Sequence, residues 1–322
     1  MIKVAIEFYK EFGPLGYLAN YSNHGFFKDG VFYKTVEHYY QSEKYSDPLI
    51  KAKIINAETP KIASNIGRDR NNIRISDFKQ IKNQVMFEGI LEKFRQNREI
   101  AYKLIATGNE SIAEATIDEY YWGIGKDKTG ENNIGKIIEK VRTKLKEEIL
   151  SNILTKSKKA EVVYIIGPKI LGIDAVFSGY LLSKILKSLG INAKFAVLEE
   201  STYKESDKDT INSYLSETPE IINNLDNNFI LVNSNTLDSL DLHNVLGAFD
   251  HHPVTGEIPD TLGINYSSTS LLIYDLFKQV YNFSDYEKKL IYLTCLSDEH
   301  SLNINIEPLD NRLLESLKLK IS

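Results

Sequence analysis

The 322-residue sequence contains one cysteine, one tryptophan and two methionines, and it lacks an uninterrupted apolar run of about eighteen residues, the length needed to span a membrane. The single cysteine, Cys295, excludes an intrachain disulfide, and its setting in LIYLTCLSD indicates a core residue rather than a nucleophile. Residues 1–10 also lack the basic start and apolar stretch of a signal peptide. We therefore expect a soluble cytoplasmic protein without redox chemistry and without a membrane partner.

Basic residues are fewer than acidic residues only in the second half of the chain. The formal net charge is −5, but residues 1–150 hold 24 Lys and Arg against 21 Asp and Glu, whereas residues 151–322 hold 15 against 23. A mildly basic first half is compatible with a phosphate-bearing ligand, and an acidic second half argues against a broad grip on a nucleic-acid backbone. The length and the 42% hydrophobic content suffice for two domains with separate cores.

The most informative stretch is TVEHYYQSEKY, which begins at Thr35. Thr35 can act as an N-cap, and the absence of glycine and proline predicts a helix directly after it. Glu37, Gln41 and Lys44 then fall along one stripe of that helix. The stripe is either a solvated face with charge pairing or the polar floor of a pocket.

The loop and hairpin before this helix provide further candidates. FGPLGYLANYS contains two glycines and a proline, which predict a loop, and such loops often carry binding groups. Asn20 and Tyr21 are the candidates here. In HGFFKDGVFYK, Asp29 and Gly30 predict the two-residue turn of a hairpin that leads the chain to Thr35.

Two later stretches of the first half carry chemistry. Arg68 follows Gly67, where the helical pattern is interrupted, and it suits either a phosphate or carboxylate ligand or a structural ion pair. Trp122 stands beside Asp118, Glu119 and Gly123. An indole next to carboxylates and flexible glycines suits a site that stacks a flat base while an acid acts on the adjoining bond, although Trp122 could equally anchor a core.

The pattern changes after a charged join at residues 156–159, and we place domains at residues 1–155 and 160–322. In the second half, predicted strands alternate with helices, which indicates a doubly wound parallel sheet covered on both faces. Ligands of such sheets gather at the carboxyl ends of the strands. The candidate metal or phosphate ligands at these ends are Asp174, Asn233, Asp250, His251, His252 and Asp298.

The first half resembles the NADAR (YbiA-like) family in GYLANY, TVEHYYQSEKY, IGRDR, KNQVM, KFRQN, ATGN and YWGIG followed by GENNIG. The resemblance implies a mainly α (α+β) fold and N-glycosidase activity, without a cofactor, on a bond between ribose and a base-like nitrogen. Family members are associated with removal of ADP-ribose from guanine and with breakdown of early riboflavin-pathway intermediates.

The resemblance also implies roles for individual residues. The family's motif acid falls on Glu37, and the Asp that precedes the family's tryptophan by three residues is replaced by Glu119, so that Glu119 or Asp118 would be the second acid. Lys44 would depress a carboxylate pKa or neutralise the leaving group. The substrate-binding residues would be Asn20, Tyr21, Gln41, Arg68, Phe78, Trp122, Gly123 and Asn132, with Phe78 at the family's second aromatic position.

The second half resembles the DHH phosphoesterase and manganese-dependent pyrophosphatase fold in FDHHP, STSLLIYDLF and LTCLSDEHS. Pro168 and Gly172 stand at the histidine and first aspartate of the family's opening motif, and Asn233 stands at a bridging carboxylate. The resemblance implies a degenerate module that binds or assembles rather than catalyses. Its remaining ligands, for a single Mn or Mg ion at most, would be Asp174, His251 and Asp298.

Three functions follow as hypotheses. The leading one is release of ADP-ribose from ADP-ribosylated guanine, in a nucleotide or in nucleic acid, and the enzymatic alternative is cleavage of riboflavin-pathway intermediates. The third is a nucleotide or ADP-ribose sensor without turnover. Phosphoesterase activity of the second half and homodimer formation are left open.

Overall fold

The computed structural model of the chain describes residues 6–223, 226–236, 242–302 and 317, without the side chains of 242 and 298–302. Two compact units are present: Met1–Leu104 with Asn109–Leu145 form the first, and Ile105–Gly108 with Lys146–Ser322 form the second. The division falls inside the helix Arg98–Ala106 and, further along the chain, inside a helix that ends at Lys159. The charged run at 156–159, where the sequence predicts a domain boundary, therefore forms the last residues of this helix.

The first unit is mainly helical, with two short pairs of strands. Its elements are β1 (Ile6–Phe8), β2 (Phe26–Lys28), β3 (Val31–Tyr33), α1 (Val36–Ser42), α2 (Pro48–Ile55), α3 (Pro60–Arg68), α4 (Phe78–Gln96), α5 (Arg98–Ala106), β4 (Ile112–Glu114) and α6 (Asn133–Lys159). β1 pairs with β4 in parallel, and β2 and β3 form an antiparallel hairpin. Its turn residues Asp29 and Gly30 have φ values of 50° and 78°, as the predicted hairpin requires.

Helix α1 lies in the centre of this unit, in contact with α2, α3 and α4. Thr35 caps it as predicted, because its hydroxyl oxygen accepts a hydrogen bond from the His38 N–H at 3.4 Å. Every residue of α1 is buried, including Glu37 and Gln41, and Lys44 just beyond it is 7% exposed. The solvated-face interpretation of the polar stripe is therefore wrong.

The second unit is an α/β structure, as the alternating pattern predicts. Its elements are β5 (Val163–Ile166), β6 (Ile170–Leu171), α7 (Ile173–Ser188), β7 (Ala193–Leu198), β8 (Thr202–Tyr203), α8 (Lys208–Tyr214), β9 (Glu220–Ile222), β10 (Asn228–Val232), β11 (Val245–Asp250), β12 (Thr261–Gly263), α9 (Thr269–Phe277) and α10 (Asp285–Leu302). Six strands form one parallel sheet in the order β12-β11-β10-β5-β7-β9.

The sheet core explains why this pattern was visible in the sequence. Strands β5 and β11 are buried at every position, so they form nearly continuous apolar runs, as strands of a covered parallel sheet do. Cys295 is buried too, which confirms its assignment to the core. Among the described helices of the chain, none combines the length and apolar composition that crossing a membrane requires.

Candidate functional site

The carboxylate of Glu37 is the centre of the candidate site in the first unit. Its side chain is 3% exposed and both of its oxygens are engaged. Oε2 accepts a hydrogen bond from Asn20 Nδ2 at 2.6 Å, and Oε1 accepts one from Gln41 Nε2 at 2.7 Å, with the Tyr21 hydroxyl 3.5 Å away. The structure thus brings together four residues that the sequence singled out.

Burial sets the protonation behaviour of Glu37. It raises the pKa of Glu37 above the ordinary value of a glutamate, while the hydrogen bond from Gln41 and the charges of Lys44 and Arg68 act in the opposite direction. A buried carboxylate whose pKa is raised and whose geometry is fixed is suited to a role as a general acid or base.

Lys44 supplies a cation to the same region. Its ammonium nitrogen lies 5.1 Å from the ring centroid of Tyr40 and 5.8 Å from that of Phe78. Burial lowers the pKa of Lys44 to about 8, Glu37 acts to raise it, and two arginines, Arg74 and Arg68, act to lower it. Lys44 is therefore a cation that can lose its proton at mildly alkaline pH.

Aromatic rings line this region as a cluster of Tyr40, Phe78, Tyr121 and Trp122. The Tyr40 ring packs edge-on against Phe78, with centroids 5.3 Å apart, and against Trp122 at 5.6 Å. Phe78 is buried, whereas Trp122 is only half-buried, so Trp122 retains surface for a ligand. Tyr40, which the sequence analysis did not single out as a site residue, links Phe78 to Trp122.

A positively charged end of α3 lies next to Glu37. Arg68, the last residue of α3, is exposed, and among the described residues it forms no ion pair with a carboxylate. Arg74, which the sequence analysis did not single out, donates a hydrogen bond to the Gly67 carbonyl oxygen at 3.2 Å. The charges of both arginines act on Lys44. This arrangement argues against the structural ion pair as the role of Arg68.

Glu119 and Asp118 differ in what they contact. The Glu119 carboxylate accepts hydrogen bonds from the backbone N–H groups of Tyr121 at 3.3 Å and Trp122 at 3.2 Å, whereas Asp118 is exposed. Glu119 therefore fixes the turn that carries Trp122. A catalytic role for either acid stays a prediction.

Glu114, at the end of β4, is a residue that sequence reasoning missed. Its Oε1 accepts a hydrogen bond from the Thr116 hydroxyl, and its Oε2 is buried with no hydrogen-bond partner among the described residues. Burial raises the pKa of Glu114, and the neighbouring charge of Glu119 raises it further. Only the tertiary packing identifies this acid, because IAE reads as an ordinary strand.

The predicted ligand-binding residues Gly123 and Asn132 contact the chain around Glu114. A Cβ atom on Gly123 would lie 2.5 Å from Glu114 Oε2, which leaves no room for a side chain. The Asn132 amide donates to the Ile112 carbonyl oxygen at 2.8 Å and accepts from the Glu114 N–H at 3.1 Å. These contacts join the Trp122 loop to β4, and substrate binding by Gly123 and Asn132 stays a prediction.

In the second unit, Asp174 caps a helix. Its carboxylate, 4% exposed, accepts hydrogen bonds from the Thr269 N–H at 2.7 Å, the Ser270 N–H at 2.9 Å and the Ser270 hydroxyl at 2.8 Å, all in the first turn of α9. His251 Nε2 lies 3.7 Å from Asp174 Oδ2. Asn233 Oδ1 accepts a hydrogen bond from the Thr269 hydroxyl at 3.2 Å.

The remaining candidates lie at the end of β11. Asp250 is 1% exposed, and its oxygens lie 2.7 Å from His252 Nδ1 and 2.6 Å from Asn235 Nδ2. Although burial acts to raise it, these two partners hold the pKa of Asp250 below its ordinary value. Asp250, His251 and His252 offer ligand atoms within 4.8 Å of one another. The side chain of Asp298, the third predicted ligand, lies outside the described residues.

Comparisons with known proteins match the first half of the chain to one family. The NADAR domain model matches residues 7–146. An N-glycosidase of Nostoc punctiforme is 35% identical over 146 residues, which cover 44% of this chain and 94% of the relative. The N-glycosidase YbiA of Escherichia coli is 31% identical over 140 residues, covering 44% and 88%. A riboflavin biosynthesis protein of Vibrio vulnificus is 32% identical over 149 residues, covering 46% and 41%.

Two solved structures were also found to be similar. The solution structure of Escherichia coli YbiA has 31% sequence identity and a TM-score of 0.44, covering 47% of this chain and 89% of that one. An exopolyphosphatase-related protein from Bacteroides fragilis has 14% identity and a TM-score of 0.42, covering 54% and 56%. Because the family model matches residues 7–146 and the Nostoc relative is covered over 94% of its length, this chain belongs to the NADAR domain family.

Proposed function

We propose that the first unit hydrolyses an N-glycosidic bond between ribose and a base, with Glu37 as the principal catalytic residue. The observation that carries this proposal is a carboxylate that is 3% exposed, held at both oxygens and raised in pKa by burial. In this hydrolysis, water adds to the anomeric carbon, the carbon–nitrogen bond breaks and the base leaves with a proton. A carboxylate that stabilises the oxocarbenium-like state or activates the water is the minimum requirement.

The surrounding residues fit subsidiary roles in this reaction. Lys44, charged below about pH 8, would neutralise negative charge that develops on the leaving base. Trp122, which keeps exposed ring surface beside Tyr40, would stack the base. Relatives named N-glycosidases, at 35% and 31% identity, support the same reaction class.

For the substrate we propose ADP-ribosylated guanine, as a nucleotide or within nucleic acid. The charges of two exposed arginines, Arg68 and Arg74, act on Lys44, and a diphosphate is a suitable ligand for such a pair. The alternative substrate is an early riboflavin-pathway intermediate, which the relative named a riboflavin biosynthesis protein favours.

The test is incubation of the purified chain with ADP-ribosylated guanosine, free and in DNA or RNA, with released ADP-ribose quantified by mass spectrometry. We expect release by the wild type and a loss of at least about 100-fold in kcat for Glu37→Gln, because the carboxylate acts in the transition state. The control is Glu43→Gln, at the end of the same helix, where the partly exposed Glu43 pairs with Lys51 at 2.9 Å.

Full activity of Glu37→Gln would contradict the central assignment. If the wild type cleaves the riboflavin-pathway intermediates and not the ADP-ribosylated substrates, the alternative substrate is correct. Binding of ADP-ribose without turnover of either class would support the sensor hypothesis.

For the second unit we propose a degenerate DHH-like module with a binding or assembly role. His251 and Asp174 are the described residues that would hold a single Mn or Mg ion, but Asp174 already accepts three hydrogen bonds and an amide, Asn233, replaces the bridging carboxylate. We expect no manganese-stimulated release of phosphate from pyrophosphate, cyclic dinucleotides or short oligonucleotides. Release from any of these would show that the unit is an active phosphoesterase.

A further inference from the structure

A second buried lysine lies in the first unit, away from the aromatic cluster. Lys93 on α4 has 0% exposure, and burial lowers its pKa to about 7. Its ammonium donates hydrogen bonds to the carbonyl oxygens of Tyr17 at 2.8 Å and Ala19 at 3.1 Å. The Leu18 carbonyl oxygen at 3.5 Å and the Ser22 hydroxyl at 3.4 Å complete the set. Within the described residues, no carboxylate pairs with it.

Burying an ammonium without a counter-ion is costly, so its partners indicate what it does. All four oxygens belong to the loop of residues 16–22, and this loop carries Asn20 and Tyr21 between the carbonyl ligands and the Ser22 hydroxyl. The same loop contacts Glu37 three times: through the Asn20 amide at 2.6 Å, the Tyr21 hydroxyl at 3.5 Å and the Asn20 carbonyl oxygen, which accepts the Glu37 N–H at 3.0 Å.

We propose that Lys93 is a positioning residue for Glu37. The Lys93 ammonium fixes the loop of residues 16–22 so that Asn20 can donate its hydrogen bond to the Glu37 carboxylate. Lys93 acts through the loop and does not touch the substrate. The geometric part stands on the contacts of Lys93 and Asn20, whereas its consequence for catalysis rests on the proposed glycosidase function. A small displacement of a group around a reacting centre is enough to cost a large factor in rate.

The decisive variant is Lys93→Met, which keeps the apolar stem and removes the donors. Loss of the Asn20 hydrogen bond disfavours the charged form of Glu37, so the pKa of Glu37 should rise. Selective ¹³C-glutamate NMR, with Glu37→Gln as the assignment standard, measures this change. Backbone N–H groups of residues 18–22 should exchange with solvent faster. We expect kcat to fall by roughly 10- to 100-fold with a smaller change in KM.

The matched control is Lys103→Met on α5, which removes an exposed lysine whose partner is Glu99 at 2.6 Å. It should leave the pKa of Glu37, loop exchange and kcat unchanged. Asn20→Ala should reproduce the change in the Glu37 pKa with Lys93 intact. The double variant Lys93→Met, Asn20→Ala should show no further change, because both substitutions remove the same hydrogen bond from Asn20 to Glu37.

Unchanged Glu37 pKa and loop exchange in a folded Lys93→Met protein would overturn the proposal. If that variant does not fold, Ser22→Ala removes one acceptor and should shift the pKa in the same direction by a smaller amount. No shift in that protein would equally overturn it. Absence of glycosidase activity in the wild type would refute the proposed function but leave the NMR and exchange measurements decisive for the role of Lys93.

Discussion

Gln41 depends on a glycine that lies in another helix, 26 positions further along the chain. Gly67 lies in α3, and a Cβ atom added there would be 2.1 Å from Gln41 Oε1, which is buried and accepts no hydrogen bond among the described residues. The other end of the same amide donates to Glu37. The absence of a side chain at position 67 therefore determines where a hydrogen-bond donor of Glu37 can sit.

Gly67→Ala should displace Gln41 and weaken its hydrogen bond to Glu37. We expect kcat to fall by roughly tenfold or more, with the helical backbone of α3 retained because alanine is a good helix former. Steady-state kinetics together with circular dichroism measures both effects. Asn65→Ala, at an exposed position of α3, is the control, and equal activity of the two variants would contradict the prediction.

The lowered pKa of Lys44 leads us to expect that activity depends on pH. Its pKa is lowered to about 8, so the ammonium is present below that pH and is lost above it. If the charge neutralises the leaving base, kcat falls as the pH rises through about 8, approaching tenfold per further pH unit. A pH–rate profile measures this.

Lys44→Met should lower the activity and remove this alkaline limb, whereas Lys51→Met, which removes a partly exposed partner of Glu43, should retain it. An unchanged limb in Lys44→Met would assign the titration to another group.

At the scale of elements, local patterns predicted α1, its Thr35 cap and the Asp29–Gly30 hairpin, because caps and tight turns depend on neighbouring residues. The parallel sheet was also predicted from a local pattern, because each of its buried strands is a short continuous apolar run. Lys93 was not identified, because its hydrogen-bond partners are distant in sequence, such as Tyr17, 76 positions away. Glu114 and Arg74 were not identified, because the burial of the Glu114 carboxylate and the effect of the Arg74 charge on Lys44 appear only in the folded chain. The family motif identified Glu37, but only the tertiary structure shows that its stripe is buried.

Helix α9 is the element through which Asp174 can be tested. Asp174→Asn removes the charge and part of the acceptor capacity that serve the first turn of α9. We expect the second unit to lose about 2 kcal/mol in free energy of unfolding in metal-free buffer, because a buried cap and charged acceptor are lost together.

Thermal and urea unfolding of the variant, with and without manganese, measures this loss. Asp285→Asn, in the exposed first turn of α10, is the control and should change stability by less than about 0.5 kcal/mol. A loss that appears only in the presence of manganese would identify Asp174 as a metal ligand instead of a cap.

At the scale of the whole molecule, the match to the Nostoc relative covers 94% of that protein but only 44% of this chain. The matched part of this chain, which lies in its first half, therefore corresponds to nearly the whole of the relative. We expect a fragment of residues 1–159, which retains all of α6, to keep glycosidase activity within about threefold of the full chain, since all proposed catalytic groups lie in it. Activity found only in the full chain would show that the second unit contributes to the reaction.

The cap on α9 also has a consequence in terms of mass action. The partial positive charge at this helix start faces an anion that belongs to the same polypeptide, since Asp174 is held there by the fold. Such a tethered group acts at an effective concentration on the order of millimolar or more. A free phosphate group competes with this tethered carboxylate for the start of α9. Any diffusible anion can therefore occupy that helix start only at a concentration that exceeds the effective concentration of Asp174.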